Sequence, residues 1–208
     1  MKILDVTVPF RPGMFFYPGE VPFEIRKKAS FATGQTWNGS IFSTSCHNGT
    51  HLDAPYHYFD KGKRLDDLDL ASLMGPCDVV EVKAKASIEA ADIPKRLLRK
   101  GARILFKTRN SPLMRKKEFR QDYTYVAASA ATTLAKAKVA LVGVDYLSAE
   151  QFGITEDPAH KTILGAGIPL LEGVDLSKAK PGRYEIVCAP MHIAEADAAP
   201  ARVWLIIQ

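Results

Sequence analysis

A mixed α/β fold with a substantial antiparallel or mixed sheet is what this 208-residue sequence predicts, and three observations carry the prediction. Strand-length apolar or β-branched runs recur along the whole chain. Helical segments are fewer and separate only some of those runs, whereas a doubly wound parallel sheet would need stricter alternation. No repeat, low-complexity tract or Gly/Ser linker interrupts the order, so residues 1–208 are expected to form one continuous domain, long enough to bury a core.

The strands are justified in turn. Residues 3–8 alternate weakly, residues 22–26 form a short run, and residues 40–46 lead straight into a His-rich segment. Residues 77–82, 103–107, 139–144, 184–189 and 201–207 are apolar or β-branched runs of strand length. Helices are expected over residues 87–98, where Ser87 is a cap without a capping box, and over the Ala-rich residues 129–137. A third, short helix is expected over residues 158–164, with Pro158 in its first turn and Gly165 near its end.

Composition excludes several classes. The hydrophobic fraction of 47% and charged fraction of 25% are those of an ordinary globular protein. No apolar run approaches the roughly 20 residues that span a bilayer, so no membrane partner is expected. Asp5 interrupts the first apolar residues before they could form a signal-peptide core, which makes the cytoplasm the default location. The net charge of +5 is scattered in short groups such as Arg26-Lys27-Lys28 and Arg115-Lys116-Lys117. No basic stripe with interleaved aromatics exists, so a nucleic-acid partner is not expected. Cys46, Cys77 and Cys188 are odd in number and form no Cys-x-x-Cys pair, which reads as small buried side chains rather than a zinc knuckle or redox motif.

Chemistry concentrates in residues 47–57. Three of the five histidines fall there, and His47, His51, Asp53 and His57 crowd imidazole and carboxylate ligands together. Gly49 and Pro55 argue against a helix, so a loop wrapping a cation is expected, with His47, His51 and Asp53 as ligands and an open position for water. Zn²⁺ suits this set, and Mn²⁺ tolerates it.

This segment resembles the His-x-Gly-Thr-His-x-Asp-x-Pro-x-His motif of the metal-dependent cyclase family, which includes bacterial kynurenine formamidases and isatin hydrolases. The resemblance extends to Phe15-Phe16-Tyr17-Pro18-Gly19-Glu20, Gly143-Val144-Asp145-Tyr146-Leu147-Ser148, His160 with Leu170-Leu171-Glu172-Gly173, and Asp197-Ala198-Ala199-Pro200-Ala201-Arg202. In the last, Ala stands where the family commonly has Gly and Ser. The resemblance implies a cyclase-like swivelling β/β/α fold, usually a homodimer or homotetramer, and two divalent metal ions. It implies that His47, His51 and Asp53 hold one ion, that Asp53 bridges to a second held by His160 and Glu172, and that His57 is the general acid/base. The implied activity is hydrolysis of a small amide. An aryl formamide such as N-formyl-L-kynurenine comes first; a cyclic amide, a lactone or another small amide is the alternative. A metal-binding scaffold without activity is the third expectation, and the six intact positions weigh against it. Phe15, Phe16, Tyr17 and Trp37 are candidates for an aromatic substrate pocket, and His192 and Cys46 are weaker candidates for the site.

Overall fold

The computed structural model describes residues 1–207. Among the described residues, twelve strands run in chain order: β1 (Lys2–Asp5), β2 (Glu24–Ala29), β3 (Gly39–Ser43), β4 (His51–Asp53), β5 (Met74–Glu81), β6 (Ser87–Ile88), β7 (Arg103–Lys107), β8 (Tyr125–Val126), β9 (Leu141–Val144), β10 (Leu170–Glu172), β11 (Gly182–Pro190) and β12 (Ala198–Ile207). The helices are a single turn, α1 (Leu70–Leu73), then α2 (Ala128–Ala137) and α3 (Pro158–Gly165). The mixed α/β expectation holds. Eight strands form one sheet in the order β1-β12-β11-β5-β7-β9-β10-β4, parallel from β5 to β10 and antiparallel elsewhere.

That sheet closes on itself. β4 pairs with β10 on one side and with the start of β12 on the other, while β11 lies along the opposite edge of β12. The pleat then divides side chains between two cores. Leu105, Leu141 and Leu171 join Leu52, Ile186, Val203 and Leu205 inside the ring. Their neighbours Ile104, Phe106, Val142 and Leu170 face outward onto Leu134 of α2 and Ile163 and Leu164 of α3. Burial on both faces explains why these parallel strands read as continuous apolar runs. A third, aromatic cluster of Phe15, Phe119, Tyr123 and Tyr146 packs under the N-terminal segment, with the Tyr123 and Tyr146 rings 4.4 Å apart.

The β2–β3 hairpin stands apart from the sheet and exposes Ile25, Phe31, Trp37 and Phe42. Among the described residues, no helix is long and apolar enough to cross a membrane.

Two expectations need correction. No helix forms over residues 87–98: Ser87 and Ile88 are the short strand β6, followed by 3-10 turns at Ala90–Asp92 and Lys95–Leu97. Pro94 has no N–H to continue a helical ladder and holds the preceding Ile93 extended at φ −90°, ψ 115°. Ile88 is fully buried beside Val126 through the β6–β8 pairing, which a helix would undo. The strand expected over residues 40–46 stops at Ser43, so the approach to His47 is a turn, not a strand.

Candidate metal centre

Residues 51–53 depart from the loop expected around the histidines. They form the strand β4, set between two neighbours, with His51 opposite Glu172 on β10 and Pro200 on β12. The period of two puts His51 and Asp53 on one face and sends Leu52 into the ring core, all three at 0% exposure. Cross-strand pairing brings Glu172 onto the same face as its partner His51. Thr50 locks the register, since its hydroxyl donates to the Gly173 carbonyl at 2.7 Å and accepts the Val8 N–H at 2.8 Å. Gly173 sits at φ +70°, where an added Cβ would overlap the carbonyl oxygen of Gly49.

Other elements complete the face. His47 leaves the turn before β4, and its Nδ1 lies 3.1 Å from Asp53 Oδ1. His51 Nε2 is 3.4 Å from Asp53 Oδ1 and 3.4 Å from Glu172 Oε2. His160, on the first turns of α3, places Nε2 3.3 Å from Glu172 Oε1 and 3.9 Å from Asp53 Oδ2. The two oxygens of Asp53 therefore face different imidazoles, Oδ1 toward His47 and His51 and Oδ2 toward His160. His57 ends the 3-10 turn Pro55–His57, stacks near His47 with ring centroids 4.1 Å apart, and has Nδ1 3.3 Å from Asp197 Oδ2.

The cluster sets imidazoles directly against buried carboxylates. Burial opposes a proton on His47, but the Asp53 carboxylate and the bonds to Asp197 overcome it and push the pKa up to about 11. Burial likewise opposes charge on His160, and Glu172 and Glu150 raise it to about 10. Burial would raise Asp53 and Glu172, yet the surrounding imidazoles hold both carboxyls below their usual range. Asp197 is held low by its bonds to His47 and His57.

The residues fit a metal. His51 Nε2 and both Asp53 oxygens are buried without a hydrogen-bond partner, a costly state for a carboxylate unless a cation takes its lone pairs. Two groups of donors lie within 4.8 Å of one another, His47–Asp53–His57 and His51–Asp53–Glu172, and they share Asp53. Imidazole plus carboxylate is the donor set of Zn²⁺ and related divalent ions.

All six residues singled out from the sequence, His47, His51, Asp53, His57, His160 and Glu172, meet here. The weaker candidates divide. Tyr17 lines the cavity above the cluster, while Phe15 packs in the aromatic core and Trp37 is half exposed on the hairpin. His192 is exposed and away from the cavity. Burial and the nearby Asp197 push the Cys46 thiol up, and it joins neither donor group. Sequence reasoning passed over Asp197, Glu150 and Tyr58 as functional groups. Asp197 stood in a quoted motif, and its carboxylate next to a strand was the only signal; Glu150 and Tyr58 had none.

The cavity above the cluster holds about 250 Å³. Tyr58 covers one wall, its ring stacked on His160 at 5.0 Å, and Tyr17 another. Burial and the surrounding carboxylates push both phenols up, so they stay protonated and able to donate.

A closed mixed sheet carrying a buried imidazole–carboxylate cluster under a small cavity defines a candidate metal-dependent enzyme. The sequence matches the family described as "Putative cyclase" over residues 4–151, and the chain belongs to that family. It is 35% identical over 208 residues to a kynurenine formamidase of Salinibacter ruber, covering 99% of this chain and 97% of that one. It is also similar to the structure of a predicted metal-dependent hydrolase from Bacillus stearothermophilus, with TM-score 0.85, 32% identity and coverage of 98% and 97%. Isatin hydrolase A from Ralstonia solanacearum shares the fold at TM-score 0.86 and 21% identity, covering 100% of this chain and 92% of that one.

Proposed function

We propose that residues 1–208 act as one domain that hydrolyses a small amide on a two-ion centre, with an aryl formamide such as N-formyl-L-kynurenine as substrate. The observation that carries this reading is Asp53, fully buried, with each oxygen turned toward a different imidazole and neither oxygen hydrogen-bonded. The full-length likeness to a kynurenine formamidase supports the substrate class.

In this reading His47, His51 and Asp53 would hold one cation, and His160, Glu172 and Asp53 would hold the second. Divalent ions, Zn²⁺ or Mn²⁺, supply Lewis-acid polarisation of a carbonyl and a nucleophile from water near neutral pH. The chain's own groups do the rest. His57 lines the cavity with Nδ1 anchored on Asp197, which leaves Nε2 to pass a proton to the departing nitrogen. Proton transfer of this kind contributes roughly 10²–10⁴ in rate. The protonated hydroxyls of Tyr17 and Tyr58 offer donors to a carbonyl on the substrate, and their rings provide an apolar wall for an aryl group.

The deciding experiment is a turnover panel of formylkynurenine, isatin and simple formanilides on protein loaded with zinc or manganese. Formanilide hydrolysis is expected. Turnover of isatin alone would replace the substrate with a cyclic amide while keeping the reaction; two bound ions with no turnover on the panel would favour a metal-binding scaffold.

The same reading includes a homodimer or homotetramer. The exposed apolar residues of the β2–β3 hairpin support it, since a two-stranded hairpin is marginal on its own in water. Light scattering of the purified chain checks it.

A further inference from the structure

We infer that Glu150 is a positioning residue that sets the orientation and donor strength of the His160 imidazole, an inference resting on His160 being a metal ligand. Glu150 lies outside every sequence motif noted above, is 4% exposed, and precedes α3 by eight residues. Its Oε2 accepts the Ala159 N–H at 3.0 Å and the His160 N–H at 3.2 Å, and lies 3.3 Å from His160 Nδ1.

One oxygen thus performs two tasks. The residue at the N-cap of α3, Asp157, sits in the left-handed region at φ 47° and makes no side-chain capping bond. Glu150 supplies the missing acceptor for two free amides of the first turn. The same oxygen takes the outer nitrogen of the ring, so the edge that remains, Nε2, points at Glu172 and Asp53. Tyr58 stacked at 20° on the ring face removes rotation about the other axis. An imidazole held by a carboxylate on its far N–H is fixed in one tautomer and becomes a stronger donor at the near nitrogen.

The other inward imidazoles follow the same rule with different partners. His51 Nδ1 donates to the Gly49 carbonyl at 3.1 Å, and His47 Nε2 lies 2.8 Å from Asp197 Oδ2. Only for His160 is the outer partner a buried carboxylate that also anchors the helix carrying the ligand. The position of α3 and the direction of the ligand are therefore coupled through a single side chain.

The test compares wild type, Glu150→Gln and Glu150→Ala by chelator competition for Zn²⁺ and by the ligand-field spectrum of the Co²⁺-substituted protein, with circular dichroism reporting the fold. Glu150→Gln keeps an oxygen for the two backbone amides and removes the charge. Both variants are expected to fold. Glu150→Ala should bind one equivalent about 10- to 100-fold more weakly, with Glu150→Gln between it and wild type, and both should shift the Co²⁺ bands. Wild-type affinity and an unchanged spectrum in both folded variants would overturn the assignment. So would failure of both to fold, which would make Glu150 a helix cap and nothing more. A wild-type chain that binds no metal would instead remove the metal-centre reading on which the inference stands.

Discussion

His51 and Glu172 face one another across the β4–β10 ladder, with Nε2 and Oε2 3.4 Å apart and both residues at 2% exposure or less. Their distance along the chain, 121 positions, is erased by one pairing register. A slip of β4 by one residue would turn His51 and Asp53 into the ring core and bring Leu52 to the metal face, away from Glu172. Everything that holds this register therefore holds the site.

Gly173 is the first point at which that can be checked. A side chain there would be strained at φ +70° and would collide with the Gly49 carbonyl beside His51. Left-handed strain alone costs roughly 1–2 kcal/mol for an L-residue, and the backbone collision adds to it. Gly173→Ala should therefore lower the urea midpoint clearly and weaken metal binding together, since the same backbone carries Glu172.

His57→Ala should separate chemistry from binding. A fall in kcat of roughly 10²–10⁴ with the metal content retained is expected for a proton carrier. His57 also belongs to a donor group with His47 and Asp53, so loss of one ion in step with activity would make it a ligand instead.

Asp53→Asn tests the shared carboxylate. Both of its oxygens face imidazoles, so the substitution should deplete both ions rather than one. Elemental analysis giving one remaining equivalent would show that Asp53 serves a single site.

Metal removal should lower thermal stability. At a free ion concentration a hundred times the dissociation constant, binding contributes about 2.7 kcal/mol. For a chain of this size that is roughly a 5–10 °C difference in Tm between chelated and loaded protein.

The metal-free protein should also show a defined pH response. His47 and His160 rise from 6.5 to about 11 and about 10 on folding, so their stabilising contribution is full below pH 6.5 and is lost as pH rises through 10 and 11. Asp53, Glu172 and Asp197 are held low, and their contribution is present above the usual carboxylate range and lost as pH falls. Thermal melts in chelator should therefore decline at both ends. Metal uptake near neutral pH should release protons from the two imidazoles, measurable as a buffer-dependent heat.

Much of this is legible in the amino-acid sequence. The crowding of His47, His51, Asp53 and His57 in eleven residues announced a metal site because few other environments tolerate so many ligands together. The apolar runs at residues 103–107 and 139–144 announced buried strands. Residues 87–98 have a helix-favouring composition, but Pro94 and the burial that Ile88 obtains beside Val126 override it. The loop expected around His51 failed in a related way. Three residues are too few for a period to show, and β4 exists only because β10 and β12 supply partners on both sides.

The sequence by itself determined the donor types, their density around His51, and the mixed α/β class, since these follow from local chemistry and from patterns a few residues long. Resemblance names His160 and Glu172 as their distant partners, but only the tertiary structure brings those groups to them and adds Asp197 and Glu150. The closed sheet carries Glu172 to His51, α3 carries His160 to Asp53, and Asp197 and Glu150 take the outer nitrogens of His47 and His160. Those relations depend on strand register and helix placement set by burial of two apolar cores, and no short stretch of sequence contains that information.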